Sequence, residues 1–405
     1  MSVPQLGYDG RPRLLAHQAA QLADHARVLG PLPDVPQLID LIGAAGLCGR
    51  GGAWFPTARK LTSLVGKDNP YVVVNGMESE PAAGKDKLLL RRAPHLVLDG
   101  AELAARAIGA DTITVAVHRG NGLASQLMAA AADRQAVGWG TVRVTVAEAP
   151  GRYVSSESTA LAGFLGGGDA KPRSTSARES GVDGRPTLVS NVETYAHIAL
   201  IARYGATWYR MAGTGSQPGT ALFTVSGAVN NVGVYELPVG LTGDTILRVA
   251  GGIREPLSGV LVGGYGGSWI TPTELSRPMT DIGAGVFLAM PSRACGLLEV
   301  SRVATWMAAQ TANQCGPCFK GLPAIADDVT RIVIEGDRQA YDRLRFRLGV
   351  VNGRGACAHP DGVIKFVATA FRVFNQDVRR HLAGNHCPPG PQVLPLPSGE
   401  SEGWR

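Results

Sequence analysis

The sequence predicts an α/β domain, then a small α+β domain, then a C-terminal helical bundle. Three observations carry this. Apolar strands alternate with Ala-rich helical stretches between about residues 70 and 147. From Thr220 to about Pro291 the texture changes to short β-type runs between Gly-rich turns. From Cys295 to Leu382, apolar positions recur at helical spacing.

The elements follow in order. Residues 14–28 and 35–45 read as a helical lead-in, broken by Pro31, Pro33 and Pro36. A glycine loop, Gly49-Arg50-Gly51-Gly52, then enters a helix bearing Arg59 and Lys60. A short buried strand at 71–74 runs into Asn75, Glu78 and Glu80. A helix at 94–108, a strand at 112–117, a helix at 123–135 and a strand at 142–147 complete a parallel or mixed sheet, with ligands expected at its strand ends. A junction holding Tyr153 and Glu157, an irregular loop at 166–186, and a turn with Ser190 and Asn191 close the domain. The expected units are 1–45, 46–215, 216–292 and 293–387, followed by a mobile Pro-, Gly- and Ser-rich tail at 388–405.

Composition narrows the function. A chain of 405 residues, 45% hydrophobic, can bury a substantial core. The formal charge of +6 includes no dense basic block, so nucleic acid is not an expected partner. With neither an export signal at the start nor an apolar run of membrane-spanning length, the expected location is cytoplasmic, peripheral at most to a membrane complex. Absence of an export signal also argues against a disulfide framework and for metal or redox chemistry at Cys315 and Cys318.

Each candidate motif has two readings. The amides of the glycine loop, with Lys60 nearby, suit a phosphate, although a plain turn explains the same residues. Glu78 and Glu80 at a strand end suit ribose hydroxyls or a carboxamide, or a solvated loop. Glu157 suits a ligand, or the first turn of a helix. Cys315-Gly316-Pro317-Cys318 with Cys357 suits an iron-sulfur cluster, a redox disulfide, or zinc with His359 as fourth ligand.

Taken together, the Gly-Arg-Gly-Gly loop with Phe55-Pro56-Thr57, the Asn75…Glu78-Ser79-Glu80-Pro81 strand end, the Tyr153…Glu157 junction, the Asn191-Val192-Glu193-Thr194 turn and the cysteine-rich end resemble the flavoprotein subunit family of respiratory complex I and the related diaphorase subunits. The resemblance implies an FMN-binding α/β domain, a ubiquitin-like β-grasp domain of the soluble-ligand-binding (SLBB) type, and a helical bundle holding a [4Fe-4S] cluster. It implies that Gly49, Arg50, Gly51, Gly52 and Lys60 cradle the FMN phosphate, and that Asn75, Glu78, Tyr153, Glu157, Ser190 and Asn191 line the rest of the flavin. Phe55 and Glu80 would face the nicotinamide nucleotide, and Cys315, Cys318 and Cys357 would hold the cluster. The implied activity is hydride transfer from NADH or NADPH to the flavin, then single-electron transfer to the cluster and to a ferredoxin or another iron-sulfur subunit of a multisubunit oxidoreductase.

The chain departs from the family pattern in places. Ala312 stands at the first cluster-ligand position, which leaves four alternatives: Cys295 as a substitute if its helix folds back, a three-iron cluster, a non-cysteine ligand, or loss of the cluster. Met77 and Ser158 replace carboxylates, and Ser63 stands where an aromatic is expected, which relaxes the choice between NADH and NADPH. Two other readings are a relay subunit with a decayed nucleotide pocket and a small-ligand-binding module.

Overall fold

The strand after the glycine loop, β1 (Tyr71–Gly76), is apolar on both faces because both are covered. Val72 and Val74 meet one layer and Val73 the other. The computed structural model describes residues 13–16, 19–388, 390–398 and 402–405. Before β1 come α1 (Leu22–Leu29), α2 (Leu38–Ala45) and α3 (Thr57–Thr62). After it follow α4 (Lys85–Arg92), α5 (Pro94–Ile108), β2 (Thr112–His118), α6 (Ala124–Ala136), β3 (Arg143–Ala149), α7 (Ser158–Leu165), β4 (Thr187–Asn191) and α8 (Val192–Arg210).

The first sheet runs β3-β2-β1-β4, with every pair parallel. On one face α5 and α8 touch backbone to backbone. A Cβ added at Gly100 would sit 1.7 Å from the Tyr195 carbonyl oxygen, so only glycine permits that approach. On the other face, Leu161 and Ala162 of α7 pack with Val73, Met77 and Val189. The chain leaves β1 toward β2 and β3 on one side, while β4 lies on the other, so the crevice opens between β1 and β4. Asn75 and Asn191 are register partners there, at the carboxyl ends of the two strands.

The middle unit contains β5 (Thr220–Gly227), β6 (Gly233–Pro238), α9 (Gly243–Val249), β7 (Leu257–Val262), β8 (Ser268–Ile270) and β9 (Val286–Pro291). Its sheet runs β6-β5-β9-β7-β8, with a parallel central pair β5–β9 flanked by antiparallel pairs. Ile246 and Leu247 of α9 pack against Phe223, Val260 and Phe287. The chain ends in α10 (Gly296–Ala309), α11 (Leu322–Glu335), α12 (Arg338–Val351), α13 (His359–Val373) and α14 (Asn375–Leu382). Tyr265 and Trp269 of the middle unit share one core with Phe366 and Val367 of α13. Among the described residues, no helix is long and apolar enough to cross a membrane.

Three expectations are corrected. The first helix begins at Leu22, not residue 14: Leu14 and Leu15 are buried in a turn whose Leu15 amide donates to Glu236 at 3.0 Å, while residues 17 and 18 of the expected helix lie outside the described residues. The stretch read as a turn around Asn191 is the end of β4, an edge strand, and the start of α8, which breaks at Gly205 (φ +86°) and is capped when the Asn191 side chain accepts from the Glu193 amide. The tail expected to be mobile is docked where it is described. Buried Glu299 accepts the amides of Val393 and Leu394 at 2.8 and 2.6 Å, and Arg152 lies 4.2 Å over the Trp404 ring. Two large apolar side chains, Leu394 and Trp404, outweigh the loop-like composition around them.

Candidate functional site

One cavity of about 620 Å³ opens over the carboxyl ends of β1 and β4. Its walls include all thirteen residues expected to hold a flavin or nucleotide: Gly49, Arg50, Gly51, Gly52, Phe55, Lys60, Asn75, Glu78, Glu80, Tyr153, Glu157, Ser190 and Asn191. Cys357, Ala358 and His359 line it too, so a cysteine of the helical bundle shares the cavity with the glycine loop. Gly263, Gly266, Gly283 and Ala284 of the middle unit complete the wall.

The loop is built to offer donors. The Gly49 amide is used locally, bonding the Phe55 carbonyl at 2.9 Å. The amides of Gly51 and Gly52 have no hydrogen-bond partner among the described residues, and the buried hydroxyl of Thr57 is likewise unpartnered. Gly52 has φ of +104°, which a residue with a Cβ rarely adopts. Thr57 is buried, so its unpaired hydroxyl is costly and calls for an acceptor, while the Gly51 and Gly52 amides, exposed and half-buried, are open to one arriving in the cavity. Lys60 gives one proton to the Val189 carbonyl and keeps the others; burial, then Arg178, pulls its ammonium down to about 8.

Arg50 departs from its expected part. Its guanidinium donates to the Tyr209 hydroxyl at 2.7 Å and to the Thr220 and Cys48 carbonyls at 3.1 and 3.2 Å, while stacking 4.2 Å over Trp54. It ties the loop to the middle unit and is not free to clasp a phosphate. Glu157 caps α7, accepting the Thr159 and Ala160 amides at 2.9 and 3.0 Å, so its structural reading holds alongside its place in the wall.

The floor is a buried charge network. Lys85 donates to Asp86 at 2.9 Å and Glu193 at 2.8 Å. Burial opposes the Lys85 charge, but these two carboxylates outweigh it and hold its pKa above the usual lysine range. Burial opposes the Glu193 charge as well, yet Lys85, His197 and Arg50 bring that carboxyl down to about 2. The Asn191 amide reaches Asp86 at 2.5 Å. Sequence reasoning misses Lys85, Asp86 and Glu193 as site residues. No local signal finds them, since a Lys-Asp pair at the start of a helix reads as a solvated pair until Glu193 from α8 joins it.

Glu78 and Glu80 behave differently. Glu78, at φ of +42°, accepts the Asp86 and Lys87 amides at 2.8 and 3.1 Å. Burial and then Asp86 push its carboxyl up to about 7. Glu80 accepts the Tyr265 amide at 2.8 Å and the Tyr153 hydroxyl at 3.1 Å, and burial pushes it up to about 7. Tyr153 is held edge-on to Trp306 at 5.6 Å and tilted against His359 at 5.5 Å. Asn75 is fixed by its donation to the Ser156 carbonyl at 2.8 Å. Phe55 keeps its ring 42% exposed, with the Arg178 guanidinium 5.4 Å away. Met77 is fully buried beneath the sheet and lies outside the cavity wall, so its substitution bears on the core.

Beside the cavity, Cys315 and Cys318 sit at a π-helical turn over Pro317–Gly321. Burial pushes the Cys318 thiol up to about 12, with its neighbour Cys315 and then Cys357 adding to the rise; the three sulfurs share this region without all lying within 4.8 Å of one another. Ala312 is buried next to Cys318, which accepts its backbone hydrogen bond. Cys295 does not fold back to replace the missing ligand: it precedes α10, and its thiol lies 3.5 Å from His381.

Comparison with known proteins gives concordant matches. Residues 42–200 match the Nuo51 FMN-binding domain, and residues 299–381 match the NADH-ubiquinone oxidoreductase-F iron-sulfur binding region. The chain is 32% identical over 381 residues to an NADH-quinone oxidoreductase subunit of Salmonella typhimurium (strain LT2), covering 86% of this chain and 84% of that one. It is 29% identical over 415 residues to the corresponding NADH-quinone oxidoreductase subunit of Mycobacterium bovis, covering 95% and 92%. Among solved structures, the air-oxidized NAD+-reducing [NiFe]-hydrogenase superposes with a TM-score of 0.82 at 29% identity, over 95% of this chain and 68% of that chain. The H2-reduced state of that enzyme gives 0.79 at 30% identity; the match takes in 88% of this chain and 63% of the hydrogenase chain, under two thirds of its length.

Proposed function

This chain belongs to the family of complex I flavoprotein subunits and related diaphorase subunits, and on that premise we propose that it takes electrons from NADH at an FMN held in the β1–β4 cavity and passes them to an iron-sulfur centre beside Cys357. One observation carries this reading: the unpartnered donors of Gly51, Gly52 and Thr57 and the cysteine-bearing segment 356–359 line one cavity.

The residues fit a flavin. Gly51, Gly52, Thr57 and the remaining protons of Lys60 would receive its phosphate, and Asn75, Ser190 and Asn191 would meet the ribityl chain and ring. FMN, when bound, supplies the hydride acceptor and the conversion of two-electron to one-electron chemistry. Tyr153 donates its hydroxyl to Glu80 Oε2 and holds that side chain in place, and burial pushes the Glu80 carboxyl up to about 7, close to the nicotinamide side. Phe55 offers an exposed face for stacking the nucleotide.

Three thiols fit an iron-sulfur centre with one position not filled by cysteine. Iron and sulfide analysis of the wild type and Ala312→Cys tests this, with higher iron per chain expected in the variant. Equal iron in both would place the fourth ligand elsewhere.

The middle unit is read as an SLBB-type β-grasp domain, supported by its strand order around a parallel central pair and its single crossing helix. Its glycine turns cover the nucleotide side. The acceptor is read as an iron-sulfur subunit or acidic ferredoxin, in keeping with a formal charge of +6.

Anaerobic addition of NADH to the FMN-loaded protein tests the whole reading. Bleaching of the flavin band is expected. Persistent yellow colour would favour a relay subunit, and failure to retain FMN a small-ligand module.

A further inference from the structure

At the far end of α10 from the three-cysteine site, the chain assembles a second set of ligands. Cys295 immediately precedes α10, and the 14 residues of that helix separate it from the cluster end by about 20 Å. His381 is fully buried in the last turn of α14. After α14 the chain reverses through Gly384 at φ of +80°, with the Gly384 and Asn385 amides bonded to the His381 and Arg380 carbonyls at 2.9 and 3.0 Å. That reversal returns Cys387 to the same point. The Cys295 and Cys387 sulfurs and one ring nitrogen of His381 all lie within 4.8 Å of one another.

We propose that Cys295, His381 and Cys387 bind a zinc ion, with water at the fourth position, independently of the flavin and iron-sulfur sites. The donor set is two sulfurs and one imidazole, which suits zinc over magnesium or calcium. The spacing is that of a tetrahedral edge. Zinc–sulfur and zinc–nitrogen bonds of about 2.3 and 2.05 Å at a tetrahedral angle put sulfur and nitrogen about 3.6 Å apart, and Cys295 Sγ and His381 Nε2 are 3.5 Å apart.

The histidine is also oriented. Its Nδ1 lies 2.6 Å from the Val333 carbonyl, which accepts only if Nδ1 carries the proton, leaving the Nε2 lone pair toward Cys295. His386 Nδ1 shares that carbonyl at 3.2 Å, placing a second imidazole at the rim. Zinc would take both sulfurs as thiolates and release their protons. Bound there, the ion clamps the end of α14 and the returning tail to the β9–α10 junction, joining the helical bundle to the middle unit.

The test measures zinc, iron and flavin per chain in the full-length protein after zinc chloride loading and gel filtration. Wild type is expected to retain about one zinc. Cys387→Ser, at a partly exposed position that spares the core, and His381→Gln are each expected to weaken zinc retention by at least about tenfold while iron and flavin stay constant. Cys318→Ser is expected to lose iron and keep zinc. Three results would overturn the proposal: no zinc in the wild type, zinc lost with Cys318→Ser but not with Cys387→Ser, or a Cys295–Cys387 disulfide in a non-reducing peptide map.

Discussion

Two buried acids in the first domain solve opposite problems. Asp99, on α5, is fully buried and receives His25 at 2.8 Å, Arg134 at 2.8 Å, Arg203 at 2.5 Å and the Trp139 indole at 3.0 Å. Burial opposes its charge, but these partners outweigh burial and hold the carboxyl well below the usual range. Glu80, in the cavity wall, has two backbone amides and a tyrosine hydroxyl but no cation, and burial wins. Asp99 is a tie between helices. Glu80 is a carboxyl that burial makes easier to protonate, and the difference is the presence of cations rather than the depth of burial.

Removing Asp99 breaks the comparison most severely. Asp99→Ala leaves Arg134 and Arg203 buried without their anion, and a loss of about 3–5 kcal/mol is expected. Denaturant unfolding measures it, with flavin content of the surviving folded protein unchanged. A loss below about 1 kcal/mol would mean the arginines find other partners and the tie is dispensable.

The next effect concerns pH. Glu78 and Glu80 each rise from an ordinary 4.5 to about 7 on folding, so between those values the folded chain binds more protons than the unfolded one. Stability is therefore greatest below about 4.5 and falls as pH rises toward 7 at these two groups, by an amount on the order of 3 kcal/mol each. Asp99 has the opposite sign, its contribution being complete above its unfolded pKa and lost only as pH falls below it. Glu80→Gln keeps an acceptor for Tyr265 and removes one titration, so the stability of the variant relative to wild type should rise as pH goes from 5 to 7. A difference that stays constant with pH in thermal unfolding would return Glu80 to the ordinary surface-like acids.

This contrast also marks what the sequence could reveal. The helix at 94–108 and the glycine loop are legible because periodicity and Gly-rich spacing are local signals. All thirteen cavity residues come from motifs compared as a set, and none of the motifs is decisive alone. What stays hidden depends on distant partners. Arg50 reads like a phosphate ligand until Tyr209 and Thr220 arrive from later in the chain to occupy it. The burial of Lys85 is invisible until Glu193 lies beside it. Cys295 and Cys387 are 92 residues apart, and only the reversal at Gly384 brings them together.

The smallest expected effect tests the exposed side of the site. The Phe55 ring is 42% exposed and supports no core cluster, so Phe55→Ala should change stability by less than about 0.5 kcal/mol. If the ring stacks on the nucleotide, its loss should raise KM for NADH by roughly fivefold to tenfold, near 1 kcal/mol, with kcat little changed, since the contact is made equally before and during hydride transfer. Running NADPH alongside sharpens the reading, because Arg178 stands 5.4 Å over the same ring and would meet a 2′-phosphate that NADH lacks. A KM for NADH unmoved by Phe55→Ala would shift the nucleotide away from this wall, toward the glycine turns at Gly263 and Gly283.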